Sequence, residues 1–156
     1  MTNTQTIYFD LDGTVYDLYN VPRWCERITT EQDATAYAEG RLLVDRDALH
    51  NALDRAIDAG YNVGVITWLA GDWDIPEGFD RDYINAVRRI KRAWVAEHLP
   101  HATEVHVVKY GTPKHRVAKN DGILVDDNAE VRAKWNRGAT IDATGNIIEA
   151  IERLVA

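Results

Sequence analysis

The chain has one cysteine, Cys25, so it closes no internal disulfide. That economy fits a reducing compartment. No apolar run approaches the ~20 residues of a membrane-spanning helix. The stretch Met1 to Thr6 is polar and lacks the apolar core of a secretion signal. Together these absences predict a cytoplasmic protein. Basic residues are also short: 18 Lys and Arg stand against 25 Asp and Glu, giving a net charge of −7 and a pI near 5.2. Extended nucleic-acid binding draws its affinity from basic side chains, so that balance argues against it. A small phosphate ester held through a cation remains open. There are no internal repeats or low-complexity tracts, and the five histidines show no paired metal-ligand spacing. What remains is ordinary globular composition, 46% hydrophobic and 28% charged, in 156 residues. That is enough for one domain, residues 1–156, with a core of its own.

Within that domain, Ile7-Tyr8-Phe9-Asp10-Leu11-Asp12-Gly13-Thr14 organises the rest. A short apolar run climbs into two carboxylates and breaks at a glycine, as a buried strand ending in a turn would. Residues i and i+2 of a strand face the same side, so Asp10 and Asp12 can share one small space. Like charges there repel unless a cation separates them or one takes a proton.

The remaining chain alternates strand and helix. Strand 1 is expected over Gln5 to Asp10. Residues 17–44 show no strand pattern and read as a small flap, with a helix starting at Thr30-Glu31-Gln32-Asp33 and stopping at Gly40. Asp45 caps a helix whose apolar stripe is Leu49, Leu53, Ala56 and Ile57, ended by Gly60. Strand 2, Asn62 to Ile66, ends in Thr67-Trp68. Asp80 opens the longest helix, with Tyr83, Val87, Ile90 and Trp94 on one face and Pro100 past its end. Strand 3 is Glu104 to Val108. Thr112 is read as the N-cap and Pro113 as the first residue of a helix carrying Lys114 in its first turn. Strand 4, Gly122 to Val125, runs into Asp126-Asp127. A helix from Ala129 to Asn136, strand 5 from Ala139 to Ile141, and a last helix with Ile147, Ile148, Ile151 and Leu154 complete the order. That order predicts an α/β fold, a parallel sheet covered by helices on both faces. Ligands of such sheets bind beyond the carboxyl ends of the strands. Asp10, Asp12, Thr67, Lys114, Asp126 and Asp127 all fall at or just after such ends.

Each piece has a plainer reading. Asp-Gly is common turn material, Asp and Asn suit helix caps, threonine is at home in strands, and most lysines are solvated. Jointly, in this order and at these strand ends, the pieces favour a site. They resemble the haloacid dehalogenase (HAD) superfamily of phosphohydrolases through Asp10-Leu11-Asp12-Gly13-Thr14, Thr67, Lys114 and Asp126-Asp127. The stretches Thr67-Trp68-Leu69, Tyr110-Gly111-Thr112-Pro113-Lys114 and Val125-Asp126-Asp127-Asn128 further resemble small phage and bacterial HAD proteins, some similar to 5'-deoxyribonucleotidases. Receiver domains also use Asp, Thr and Lys on a parallel sheet, but there the acidic pair comes first and the phosphorylated Asp later. True dehalogenases lack the second aspartate of D-x-D, which is Asp12 here.

The resemblance implies a three-layer Rossmann-like sheet with a very small cap, and a Mg²⁺-dependent phosphomonoesterase. It implies that Asp10 attacks phosphorus, forming an aspartyl-phosphate, while Asp12 protonates the leaving oxygen and then takes a proton from water. Asp10, the backbone carbonyl of Asp12 and a late aspartate would hold Mg²⁺, with Asp127 favoured over Asp126 and the reverse left open. Thr67 would donate a hydrogen bond to the phosphate, with Trp68 beside it, and Lys114 would offset its charge. A lysine at a helix N-terminus opposes the helix dipole, which makes sense beside an anion.

The substrate class follows more loosely: a nucleoside or deoxynucleoside monophosphate, or another small phosphate ester. A nucleic-acid end phosphatase and a catalytically silent binding protein are the alternatives. Trp24, Tyr16, Tyr19 and Tyr37 in or beside the flap, with Trp68 and Trp73 after strand 2, either stack on a base or simply pack the flap and loop. Arg88, Arg89, Lys91 and Arg92 read as a solvated basic face paired with nearby acids. Cys25 reads as structural or incidental.

Overall fold

A computed structural model describes residues 5–156. Met1 to Thr4 of the polar N-terminal stretch therefore lie outside the described residues.

The strands are β1 (Thr6–Phe9), β2 (Asn62–Trp68), β3 (Ala102–Val108), β4 (Gly122–Asp126) and β5 (Thr140–Asp142). All pair in parallel, in the order β3-β2-β1-β4-β5. The three central strands, β2, β1 and β4, supply apolar residues to two faces, because side chains alternate along them. Ile7, Phe9, Val63, Val65, Ile123 and Val125 turn to the larger core cluster. Tyr8, Ile66 and Leu124 turn the other way, onto Ala118 and Trp135. A parallel sheet buried on both faces needs helices on both, which is the three-layer arrangement seen here.

The helices are α1 (Trp24–Ile28), α2 (Ala36–Glu39), α3 (Arg46–Asp58), α4 (Arg81–His98), α5 (Lys114–Val117), α6 (Ala129–Lys134) and α7 (Ile147–Leu154). Helices α3, α4 and α7 send Leu49, Leu53, Val87, Trp94, Ile147 and Ile151 into the larger cluster. Val117 and Val131, on α5 and α6, pack against the smaller one. Asp45 caps α3 by accepting the Ala48 N–H at 2.8 Å. The apolar stripe of α3 is Leu49, Ala52, Leu53 and Ala56; Ile57 is 40% exposed and stands outside it.

Several local expectations need correction. No helix starts at Thr30: Gln32 adopts a left-handed φ of 48°, which breaks helical geometry between α1 and α2. Thr112 does not cap α5, because its hydroxyl donates to Lys109 O at 2.6 Å and Pro113 takes the cap position. Strand β2 extends through Thr67 and Trp68, both paired with β3.

Residues 17–44 hold α1 and α2 against α4 through buried contacts. The Tyr16 hydroxyl donates to Ala36 O at 2.6 Å and accepts the Gly40 N–H at 2.7 Å. Arg27 pairs with Asp33 and Glu39, tying the segment to itself. Tyr83 on α4 donates to Ile28 O.

Candidate active site

From β1 the chain moves outward to β2 and β3, then returns to β4 on the other side of β1. The crevice between β1 and β4 is thus a topological switch point, where strand ends splay and side chains can gather. Asp10 follows β1 and Asp126 ends β4; the Asp10 N–H donates to Val125 O at 3.0 Å, locking the two ends together. The acidic side chains meet because the intervening turn is narrow. Gly13 has a φ of +79°, and a Cβ there would sit 2.5 Å from Asp127 Oδ2 and 2.7 Å from the Tyr19 ring. Glycine adopts this conformation without strain, and its missing Cβ leaves room for both side chains.

Asp10, Asp126 and Asp127 offer carboxylate oxygens within 4.8 Å of one another. Lys114 Nζ donates to Asp10 Oδ1 at 2.9 Å and Asp126 Oδ2 at 2.8 Å. The other Asp126 oxygen accepts the Asn128 N–H at 2.9 Å. Thr14 Oγ1 lies 3.1 Å from Asp10 Oδ2 and 3.2 Å from Asp127 Oδ1. One hydroxyl proton cannot serve both acceptors at once.

The structure also puts Lys91, from α4, at this centre. Its ammonium is buried and donates to Asp12 Oδ2 at 2.9 Å, Thr67 Oγ1 at 2.8 Å and Trp68 O at 2.9 Å. It also lies 4.6 Å from the centre of the Tyr37 ring. This overturns the solvated reading for Lys91. Its register was the available signal, four residues after Val87 and three before Trp94 on the buried face. Arg88, Arg89 and Arg92 are exposed, and no ion pair joins them to an acid among the described residues. Thr67 is fully buried, its hydroxyl accepting from Lys91, one layer behind the cavity wall. Thr14 and Lys91 are the two site residues that sequence reasoning did not single out.

The electrostatics follow from crowding. Burial pushes Asp12 above the ordinary aspartate value; Lys91 opposes this and Asp10 adds to it. Asp12 Oδ1 is buried with no hydrogen-bond partner among the described residues. Burial, then the Asp10 and Asp126 charges, push Asp127 up to about 7. Asp126 is raised by burial and by Asp10, against Lys114. Burial works against the Lys114 ammonium, but Asp10 and Asp126 outweigh it and hold its pKa above the usual value. Four carboxylates, Asp10, Asp12, Asp126 and Asp127, face two ammonium groups, Lys91 and Lys114. Fully ionised, the cluster carries two negative charges in excess. An all-oxygen donor set with that excess suits a hard divalent cation such as Mg²⁺.

Above the cluster lies a cavity of about 310 Å³. Its walls include Tyr19 and Trp24 from the 17–44 segment, and Trp68, Trp73 and Tyr110 from the other side. Tyr16 is instead buried in the core, so for it the packing reading holds; Tyr37 is buried too but also lines the cavity. Cys25 is exposed and lines the cavity.

Fold and site together define a parallel α/β domain with a lysine-braced acidic centre at its switch point. No family model matches the chain. A stretch of 66 residues, 42% of this chain, is 33% identical to IMP-specific 5'-nucleotidase 1 of Eremothecium gossypii, of which it spans 15%. Among solved structures, D,D-heptose 1,7-bisphosphate phosphatase from Burkholderia thailandensis aligns with a TM-score of 0.48 at 20% identity, over 86% of this chain and 74% of that one.

Proposed function

We propose that the protein is a HAD-type phosphomonoester hydrolase that works through an aspartyl-phosphate and acts on a nucleoside or deoxynucleoside monophosphate or a similar small ester. The observation that carries this reading is the acidic cluster of Asp10, Asp126 and Asp127, braced by Lys114 at the end of β1 and β4. The D-x-D-G-T resemblance supports the reaction class. The aromatic walls of the cavity, and the short likeness to a nucleotidase, support the nucleotide.

Asp10 attacks phosphorus, forming the Asp10–phosphorus bond as the ester oxygen leaves. Asp12 donates its proton to that oxygen, then takes one from the water that hydrolyses the acyl phosphate. Its enclosed position favours the protonated form that the first step needs. Lys91 keeps Asp12 oriented. Lys114 offsets charge on Asp10 and on the phosphoryl oxygens. Thr67, buried behind the cavity wall, accepts from Lys91 and helps to fix the ammonium that orients Asp12. Asp10, Asp127 and the Asp12 carbonyl would hold Mg²⁺, with Asp126 committed to Lys114 and the Asn128 N–H. Bound there, Mg²⁺ would supply electrostatic stabilisation of charge on the transferring group.

The test is phosphate release from deoxynucleoside monophosphates with Mg²⁺, with EDTA, and by Asp10→Asn. Release should need Mg²⁺, return when it is added back after chelation, and vanish in the variant while its circular dichroism is unchanged. Full activity in EDTA would remove the metal, and normal turnover by the variant would remove the covalent step.

A further inference from the structure

A second cavity, of about 690 Å³, adjoins the first. The two share a wall that includes Trp73 and Tyr110. The tyrosine ring contacts Trp68 at 5.0 Å and Trp73 at 5.1 Å between centres, and Trp68 lies 5.4 Å from Lys114 Nζ. An aromatic ladder therefore runs from the phosphoryl site to the second cavity. Trp73 is 69% exposed yet closely seated: a Cβ at Gly71 would fall 1.6 Å from its ring.

The far side of this wall is basic. Arg81 and Arg88, two turns apart on one face of α4, line the second cavity with Lys109 from the end of β3; Asp72 is the one acid among its lining residues. None of the three basic side chains has a hydrogen bond or ion pair among the described residues. Other arginines of this acidic chain are paired with carboxylates, among them Arg23, Arg27, Arg55, Arg137 and Arg153, while Arg89 and Arg92 are unpaired among the described residues but line neither cavity. Three unpaired cations around a concave, aromatic-walled space suit an anion, and the planar fork of arginine matches phosphate oxygens.

We infer that this cavity binds a second phosphate of the substrate, linked through the leaving group to the phosphate being removed and reached across the Trp73–Tyr110 wall. The inference rests on the phosphatase reading. The second phosphate has two chemical sources: a nucleoside bisphosphate, or the next phosphodiester of a short single strand with a terminal phosphate. The sugar or base between the phosphates would lie against the wall, where ring stacking tolerates any base.

The experiment compares kcat/KM for a deoxynucleoside 5'-monophosphate, its 3',5'-bisphosphate and a 5'-phosphorylated tetranucleotide, in the wild type and in Arg81→Gln/Arg88→Gln. The wild type should favour a substrate with a second phosphate by about tenfold or more, mostly through KM, and lose the advantage as salt rises. In the double variant the ratio should collapse towards one. Preference for the bisphosphate alone identifies a discrete phosphate; preference for the tetranucleotide identifies a strand. Equal kcat/KM for all three in the wild type, or a preference that survives the double substitution, overturns the inference. If no ester is hydrolysed, the phosphatase reading falls. Calorimetric titration of the monophosphate and bisphosphate in EDTA then decides the cavity separately. Tighter bisphosphate binding that the double variant loses supports it, and equal binding overturns it.

Discussion

Replacing Lys91 by Met tests the centre of the site most directly. Met matches the lysine stem in length and keeps its packing, so the perturbation is confined to the ammonium. That group makes three hydrogen bonds, to Asp12, Thr67 and Trp68 O. Asp12 Oδ1 already has no hydrogen-bond partner among the described residues, so the substitution leaves the carboxylate without its one side-chain partner there. Breaking a buried ion pair by removing one member costs about 3–5 kcal/mol. With a urea m-value near 2 kcal/mol/M, the unfolding midpoint should fall by roughly 2 M. Arg92→Met, one residue along on the exposed face of α4, is the control and should change stability by no more than ~0.5 kcal/mol. Asp12 also loses the contact that fixes its direction, so phosphate release by Lys91→Met should drop by about 10²- to 10⁴-fold, the usual worth of a placed acid–base group. Urea melts followed by tryptophan fluorescence, with phosphate assays under native conditions, give both numbers. Coincident melts for the two variants would refute the buried network and return Lys91 to the solvent face.

Two further predictions concern the scaffold. Leu124 is fully buried in the smaller cluster with Tyr8, Ile66 and Trp135, so Leu124→Ala should cost about 2–5 kcal/mol in a denaturant melt; a loss under 1 kcal/mol would mean that this face is loosely packed. Burial alone would raise the pKa of Glu104, but His106, the Lys119 N–H and the Tyr8 hydroxyl together lower it below the ordinary glutamate value. The stability from Glu104 is therefore fully present above its unfolded value and lost as pH falls through the folded one. Glu104→Gln should flatten the acid limb of a stability–pH curve, and an unchanged limb would sink the assignment.

The sheet was legible because its strands are apolar runs bounded by clear breakers, and parallel strands buried on both faces leave that mark. Asp10, Asp12, Thr67, Lys114, Asp126 and Asp127 were legible as a group because strand order sends each to the same rim. Lys91 was not, since its neighbours Arg89 and Arg92 are exposed charges that disguise a helical register fixed by Val87 and Trp94. Thr14 was hidden inside a motif read for its carboxylates. The start of α5 was misplaced because Thr112 has two competing acceptor or donor roles within reach, and its hydroxyl is taken by Lys109 O. The break at Gln32 carries no sequence signal, since glutamine seldom adopts a left-handed backbone.

Gly13 shows what the compactness of this centre depends on. The Asp127 carboxylate and the Tyr19 ring close over a residue whose side chain is a hydrogen atom. A methyl group at that point would act as a wedge, pushing the Asp127 carboxylate and the Tyr19 ring out of their seats. The seat of Asp127 thus depends on an empty volume of one atom. An engineer who wished to widen the centre for a larger ion would begin there, leaving every charged residue in place.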